Sequence, residues 1–385
     1  MLKSLNILVC LAAAAAIPMA PAAAQEPIKI GVVLSMSGPG ASFGLPERTA
    51  IDVVTEEINA GGGVDGRPIE LVLYDDRTDP SEAARGVTQL IARDKVVAII
   101  GPGTGGNVLA AAPIAERSKV PLLAPAGVAV LTDPEKPFYP WIFRVASADP
   151  ISLKAIFDEL ARSGAKRIAV FHQEDAFGKG GMDFAEAYAA ASDLEIVASA
   201  AAPVTATDVG AHATRLREAK PDAIFMQVSF PALGVNFIRT ARDIGLAAPV
   251  FAGTGLGIKP FVEAVGASAE GVNVVTIGSM FYEPLPVEQK LVDMLAKRGA
   301  ASTGWAEPVG AAGILAAVAA ARTISGEIEG SSMRDALEGL CGIETYLPGE
   351  ICFSRESHDG VKADSLVIAT IRDGKLVATR RLAGD

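Results

Sequence analysis

Val96-Val97-Ala98-Ile99-Ile100-Gly101-Pro102-Gly103-Thr104-Gly105-Gly106-Asn107 reads as a buried strand, a glycine turn and the opening of a helix. A run of five apolar residues rich in β-branched side chains matches a parallel-sheet strand, which is covered on both faces. Four glycines fall within the next six positions, and Val108–Arg117 then has the composition of a helix packed on that sheet. A helix that opens at a strand end has unpaired first N–H groups, at the positive end of its dipole. Such a seat accepts a carboxylate, phosphate or amide oxygen. It also lies at the carboxyl ends of the strands, where open α/β sheets bind ligands. For a lone unit the plainer alternative is a tight turn with nothing bound.

Gly101, Gly103 and Gly106 also match the spacing of a dinucleotide fingerprint. That motif requires the first strand–helix turn of its domain and an acid roughly 20 residues on. Here two strand–helix units come earlier, and Pro121–Ala126 contains no acid. A nicotinamide or flavin site is therefore not expected, and no other cofactor is implied.

The 385 residues suffice for two domains, and half of them are hydrophobic. A net charge of −11 argues against nucleic acid and anionic membrane surfaces, which require a basic face. The three histidines are isolated, with no ligand-spaced metal cluster around them. Lys3, the apolar stretch from Ile7 and Ala22-Ala23-Ala24 read as a secretory signal peptide over residues 1–24. The mature chain then retains Cys341 and Cys352, expected to pair in an oxidising compartment. No later segment has the length of an uninterrupted membrane span.

Outward from the opening stretch the same unit recurs. Ile28–Leu34, Ile69–Tyr74 and Val120–Ala124 are strands around it, separated by helices near 46–59 and from Ser81. Asp75, Asp76 and Asp79 invite a calcium reading, but their spacing fails the loop pattern; Asp79-Pro80 reads as a helix start. A second series follows Phe143-Arg144-Val145, with strands at Arg167–Phe171, Glu195–Ala200, Asp222–Gln227 and Pro249–Ala252. Strands alternating with helices of 10–15 residues give doubly wound parallel sheets. Two such series predict an α/β protein of two lobes joined by three crossings, with a cleft between. The first lobe is expected to comprise residues 25–145 plus 277–348, and the second 146–276 plus 349–385. Val274–Ile277 is expected to cross back to the first lobe, whose further helices are 287–297, 306–323 and 332–340. Gly349–Phe353 and Ala363–Ile371 read as strands of the second lobe, and Asp373-Gly374 as a hairpin turn.

Several segments together resemble the periplasmic leucine/isoleucine/valine-binding proteins of ABC importers. They are Ile30-Gly31-Val32-Val33-Leu34-Ser35-Met36-Ser37-Gly38-Pro39 with Phe43-Gly44, and Glu57-Ile58-Asn59-Ala60-Gly61-Gly62-Gly63-Val64-Asp65-Gly66-Arg67. To these are added Tyr74-Asp75-Asp76, Asp79-Pro80, Ile100-Gly101-Pro102, Pro121-Leu122-Leu123 and Phe143-Arg144. The resemblance spans essentially the whole mature chain and implies the type I periplasmic-binding-protein fold. It further implies a carboxylate held after the third and fourth strands, an ammonium held by an acid of the second lobe, and aromatic side chains lining the cleft. In this register the ligand positions are Phe43, Thr104, Gly105, Gly106, Ala126, Gly127, Val128, Phe177, Phe230 and Thr254. The family's serine falls at Gly105, its threonine near Val128 and its acid within Gly253-Thr254-Gly255. The amides of Gly105 and Gly106 still bind an anion, but no acid is left in register for an ammonium. Either a displaced acid such as Glu174, Asp175 or Glu283 serves, or the solute is a small carboxylate or amide other than an α-amino acid.

The resemblance thus implies a periplasmic, monomeric solute-binding component that serves an inner-membrane ABC permease. A ligand sensor presenting its solute to a membrane receptor is the alternative on the same fold. An enzyme is not expected: the chain carries no Gly-x-Ser-x-Gly elbow, no HExxH and no Cys/His pair.

Overall fold

The computed structural model describes residues 26–382, so the predicted signal peptide lies outside the described residues. The chain opens with β1 (Ile28–Leu34), α1 (Ala41–Ala60), β2 (Ile69–Asp75), α2 (Pro80–Gln89), β3 (Ala98–Ile100) and α3 (Gly105–Ser118). β4 (Leu122–Ala124), β5 (Ile142–Ser147), α4 (Asp149–Arg162), β6 (Arg167–Gln173) and α5 (Ala176–Ala190) follow. Next are β7 (Glu195–Ala202), α6 (Gly210–Glu218), β8 (Ala223–Gln227), α7 (Pro231–Asp243), β9 (Val250–Ala252) and α8 (Lys259–Val265). The chain closes with β10 (Asn273–Ile277), α9 (Pro286–Lys297), α10 (Ala306–Thr323), α11 (Gly330–Leu337), β11 (Asp359–Val361), β12 (Leu366–Arg372) and β13 (Lys375–Arg381).

These strands form two sheets. The first has the order β11-β5-β4-β3-β1-β2 and is parallel throughout. β3, β4 and β5 are buried at every residue, because helices cover both faces and leave no polar side to the strands. The second has the order β13-β12-β10-β9-β8-β6-β7, parallel except where β12 meets β10 and β13. The Asp373-Gly374 turn takes positive φ at both central residues, 50° and 71°, as a two-residue hairpin of this twist requires. The chain leaves one lobe for the other after β5, β10 and β11. α10 returns to the first lobe and packs along α1, its alanines buried on nearly all sides.

The structure alters two assignments. Val274–Ile277 is β10, a strand of the second sheet between β9 and β12, and the chain crosses only after it. Residues 349–361, expected in the second lobe, return β11 to the first sheet beside β5. Within them Ile351 makes only an isolated bridge to Ile343, so Gly349–Phe353 is not a strand. Cys341 and Cys352, which flank that bridge, are joined by a disulfide. Among the described residues no helix is long and apolar enough to cross a membrane.

Candidate functional site

Both sheets present the carboxyl ends of their parallel strands to a cavity of about 60 Å³ between the lobes. From the first lobe come Phe43 on α1, Gly103 and Thr104 before α3, and Pro125–Gly127 after β4. Ala146, Ser147 and Asp149 join them from the end of β5 and the start of α4, with Trp305 before α10. From the second lobe come Phe177 on α5, Ser229 after β8, Thr254 and Gly255 after β9, and Ile277 at the end of β10. The cleft is shut. Phe43 of the first lobe and Phe230 of the second stand 5.9 Å apart by ring centroids, and Phe43 also stacks on Trp305 at 5.9 Å.

α3 opens as the glycine turn predicts. Thr104 caps it by accepting a bond from the amide of Asn107 at 3.4 Å. The amides of Gly105 and Gly106, in the first turn, have no carbonyl of their own helix to bond. A side chain on Gly105 would collide with the Val128 methyl groups, so only glycine brings this turn so close to the loop after β4. That loop is pinned from behind by Arg144, fully buried on β5. Its guanidinium donates to the carbonyls of Ala126 and Val128, each at 3.0 Å, and to Thr132 Oγ1 at 2.6 Å. It also pairs with Asp359 at 2.7 Å, tying the loop after β4 to β11, which lies beside β5 in the first sheet.

Phe43, Thr104, Ala126, Gly127, Phe177 and Thr254 therefore stand on the cavity wall. Gly105, Gly106, Val128 and Phe230 do not. Val128 packs behind Gly105, and Phe230 backs Phe43. The acids proposed as displaced ammonium partners are engaged elsewhere or exposed. Asp175 caps α5 through Gly178 at 2.9 Å and accepts from Gln173 at 2.6 Å. Glu283 reaches toward Arg381 at 3.5 Å, and Glu174 is exposed.

The reading that leaves the cleft without an acid is corrected by Asp149. It is 5 % exposed and lines the cavity. Its backbone amide bonds the Gly127 carbonyl at 2.7 Å, while among the described residues no hydrogen bond stabilises its carboxylate. Burial pushes its pKa up to about 7; Arg144 pulls the value down and Asp175 raises it further. In sequence, Asp149-Pro150 has the form of an ordinary helix start, an acid favoured by the dipole, and that form conceals a cavity residue.

A second buried acid lies behind the wall. Glu47 on α1 is fully buried and faces Gly103, with neither carboxylate oxygen bonded by the protein. Burial first, then the nearby Asp76 and Glu307, hold its carboxyl well above the ordinary range. Trp305 Nε1 is likewise buried without a partner.

The sequence matches the family described as periplasmic binding protein over residues 27–375. It is 27% identical over 291 residues to the Leu/Ile/Val-binding protein of Escherichia coli K12, covering 74% of this chain and 76% of that one. The substrate binding protein LivJ of Streptococcus pneumoniae, solved with isoleucine, is 26% identical with a TM-score of 0.81, covering 91% of this chain and 98% of that one. An ABC-transporter solute binding protein of Rhodopseudomonas palustris BisB5, solved with 3,4-dihydroxy benzoic acid, is 28% identical with a TM-score of 0.81. That match covers 91% of this chain and 95% of the other. Two parallel-sheet lobes, a cavity at their strand ends and a match along nearly the whole chain agree: this protein belongs to the periplasmic binding protein family, and it binds a solute rather than transforming one.

Proposed function

We propose that this protein is the periplasmic receptor of an ABC importer, closing its lobes as a monomer on a small carboxylate-bearing solute and presenting it to an inner-membrane permease. The observation that carries the reading is the cavity itself. It puts Gly103 and the N-cap Thr104, at the mouth of α3, beside Phe43, Phe177 and Trp305, so an anion at the helix start and an apolar body fit together. The two solved relatives with solutes support it: isoleucine and 3,4-dihydroxy benzoic acid share a carboxylate on an apolar or aromatic frame. The shut state and the three crossings suit hinge closure, the common motion of two-lobed binding proteins.

Thermal shift against amino acids, aliphatic and aromatic acids and amides tests the solute class. A ligand at 100 times its dissociation constant adds about 2.7 kcal/mol of stability. Small-angle scattering with the stabilising compound should give a smaller radius of gyration. If no carboxylate stabilises the protein, the reading fails.

A further inference from the structure

Outside the cavity wall the lobes meet again. Thr303 and Gly304, just ahead of α10 in the first lobe, touch Gly257–Lys259, the segment that opens α8 in the second. The amide of Lys259 donates to the Thr303 carbonyl at 2.7 Å. Lys259 is the first residue of α8, so its amide has no acceptor within its own helix. Among the described residues this is the one backbone hydrogen bond that joins the lobes away from the three crossings. Gly304 lies directly against Ile258: a Cβ there would come within 2.6 Å of Ile258 Cγ2 and 3.1 Å of the Gly257 carbonyl oxygen. The turn is held by Glu307, in the first turn of α10 and 1 % exposed. One of its carboxylate oxygens accepts from the Thr303 amide at 2.6 Å and the Thr303 hydroxyl at 2.9 Å. The other accepts from the Gly304 amide at 3.2 Å. With both amides tied back to α10, the Thr303 carbonyl is left for Lys259. None of these residues lines the cavity.

Resting on the lobe closure proposed above, we propose that the Thr303–Gly304 turn is a latch between the lobes and that Glu307 is the residue that positions it. The halves of the latch belong to different lobes, so it forms only when the lobes are shut. It touches no solute, and it therefore favours the shut form to the same degree whatever the cavity holds. A receptor whose binding-competent state is only partly populated binds every ligand more weakly by that fraction. The latch raises the fraction. It sets the overall affinity, while the cavity wall sets the choice of solute. Trp305 follows Gly304 directly and stacks on Phe43 at 5.9 Å, which ties the latch to that wall.

The test reads the Lys259 amide by hydrogen exchange, on protein unfolded and refolded with its disulfide intact to strip any solute, and with nothing added. In the open form this amide faces water, so its exchange slows only in proportion to the time spent latched. Expected is exchange about tenfold slower than for an unprotected amide in wild type, and close to unprotected in Gly304→Val. The valine strikes Ile258 only when the lobes are shut, so amides in the middle of α7 and α10 should keep their protection. Gly304→Ala, a smaller wedge, decides if valine prevents folding. Glu307→Ala should behave as Gly304→Val does, and Glu307→Gln, which keeps an acceptor for Thr303, should fall between it and wild type. Small-angle scattering of the same samples should give a larger radius of gyration for Gly304→Val than for wild type. An unprotected Lys259 amide in wild type overturns the latch, as does protection that survives Gly304→Val. Protection lost in Gly304→Val but kept in Glu307→Ala overturns the role of Glu307. If, in addition, no stabilising compound changes the radius of gyration of wild type, the lobes do not move and the closure reading fails as well.

Discussion

Replacing Asp149 by Asn should change how the empty protein's stability depends on pH. Burial lifts the Asp149 pKa from 3.8 to about 7, and the native state therefore keeps a proton that the unfolded chain has already lost. Stability linked to this group is present in acid and is lost as pH rises through that window. A shift of about three units at about 1.36 kcal/mol each gives about 4 kcal/mol in full. About 2.5 kcal/mol of it falls between about pH 5 and pH 8. Asn does not titrate, so it removes this loss and leaves the other buried acids, Glu47, Glu288 and Glu307, acting alike in both proteins. Urea denaturation of solute-free wild type and Asp149→Asn across this range, read as the difference between the two curves, isolates the effect. The variant should gain on wild type steadily as pH rises. Parallel curves would refute the argument, showing that the carboxylate is solvated or paired.

Three further outcomes follow from the geometry. Arg144→Met strands the Ala126 and Val128 carbonyls and breaks the pair with Asp359; unfolding by urea should show a loss of about 3 kcal/mol. Gly105→Ala should abolish solute binding by collision with Val128, and adding Val128→Ala should restore much of it in calorimetric titration. Replacing Cys341 and Cys352 by Ser opens a short loop and should cost about 2–3 kcal/mol against the oxidised protein, with two free thiols appearing in wild type only after reduction.

Local signals carry most of this fold. The apolar runs of β3, β6 and β8, the helices between them and the Asp373-Gly374 turn each declare themselves within a few residues. Asp79 also acts as its sequence suggests, accepting from the amides of Ser81 and Glu82 to start α2. Its neighbours tie adjacent loops together, Asp75 through the amide of Met36 at 2.9 Å and Asp76 through Ser35 Oγ at 2.6 Å. Sheet membership is harder to read. β10 is an apolar run that fits either lobe, and its place is decided by pairing with β12, about ninety residues later. β11 is Asp-Gly-Val, too short and too polar to show a period. Arg144, an arginine in a strand of otherwise apolar character, was the available signal that a distant acid must return to meet it.

The site was legible where it depends on backbone and obscured where it depends on which wall a side chain joins. Gly105 and Gly106 announce open amides by lacking side chains, whereas Phe177 and Phe230 look alike in sequence and only the first reaches the cavity. Asp149 escaped because an acid before proline has a sufficient local explanation as a helix start. Its burial comes from contacts that local sequence does not show, with Gly127 packed against the carboxylate in the cavity wall.

The central claim is that the solute is held in the cavity between the lobes, and Trp305 offers the most direct test. The protein has two tryptophans, and only Trp305 lines the cavity; Trp141 sits in the first lobe beside Lys119 and Arg334. In Trp141→Phe, Trp305 is the only tryptophan left to report. A solute that raises the melting temperature should shift its emission saturably and shield it from acrylamide, with the same midpoint as calorimetry. A solute that binds by calorimetry yet leaves both emission and quenching unchanged would place the site elsewhere and contradict the account.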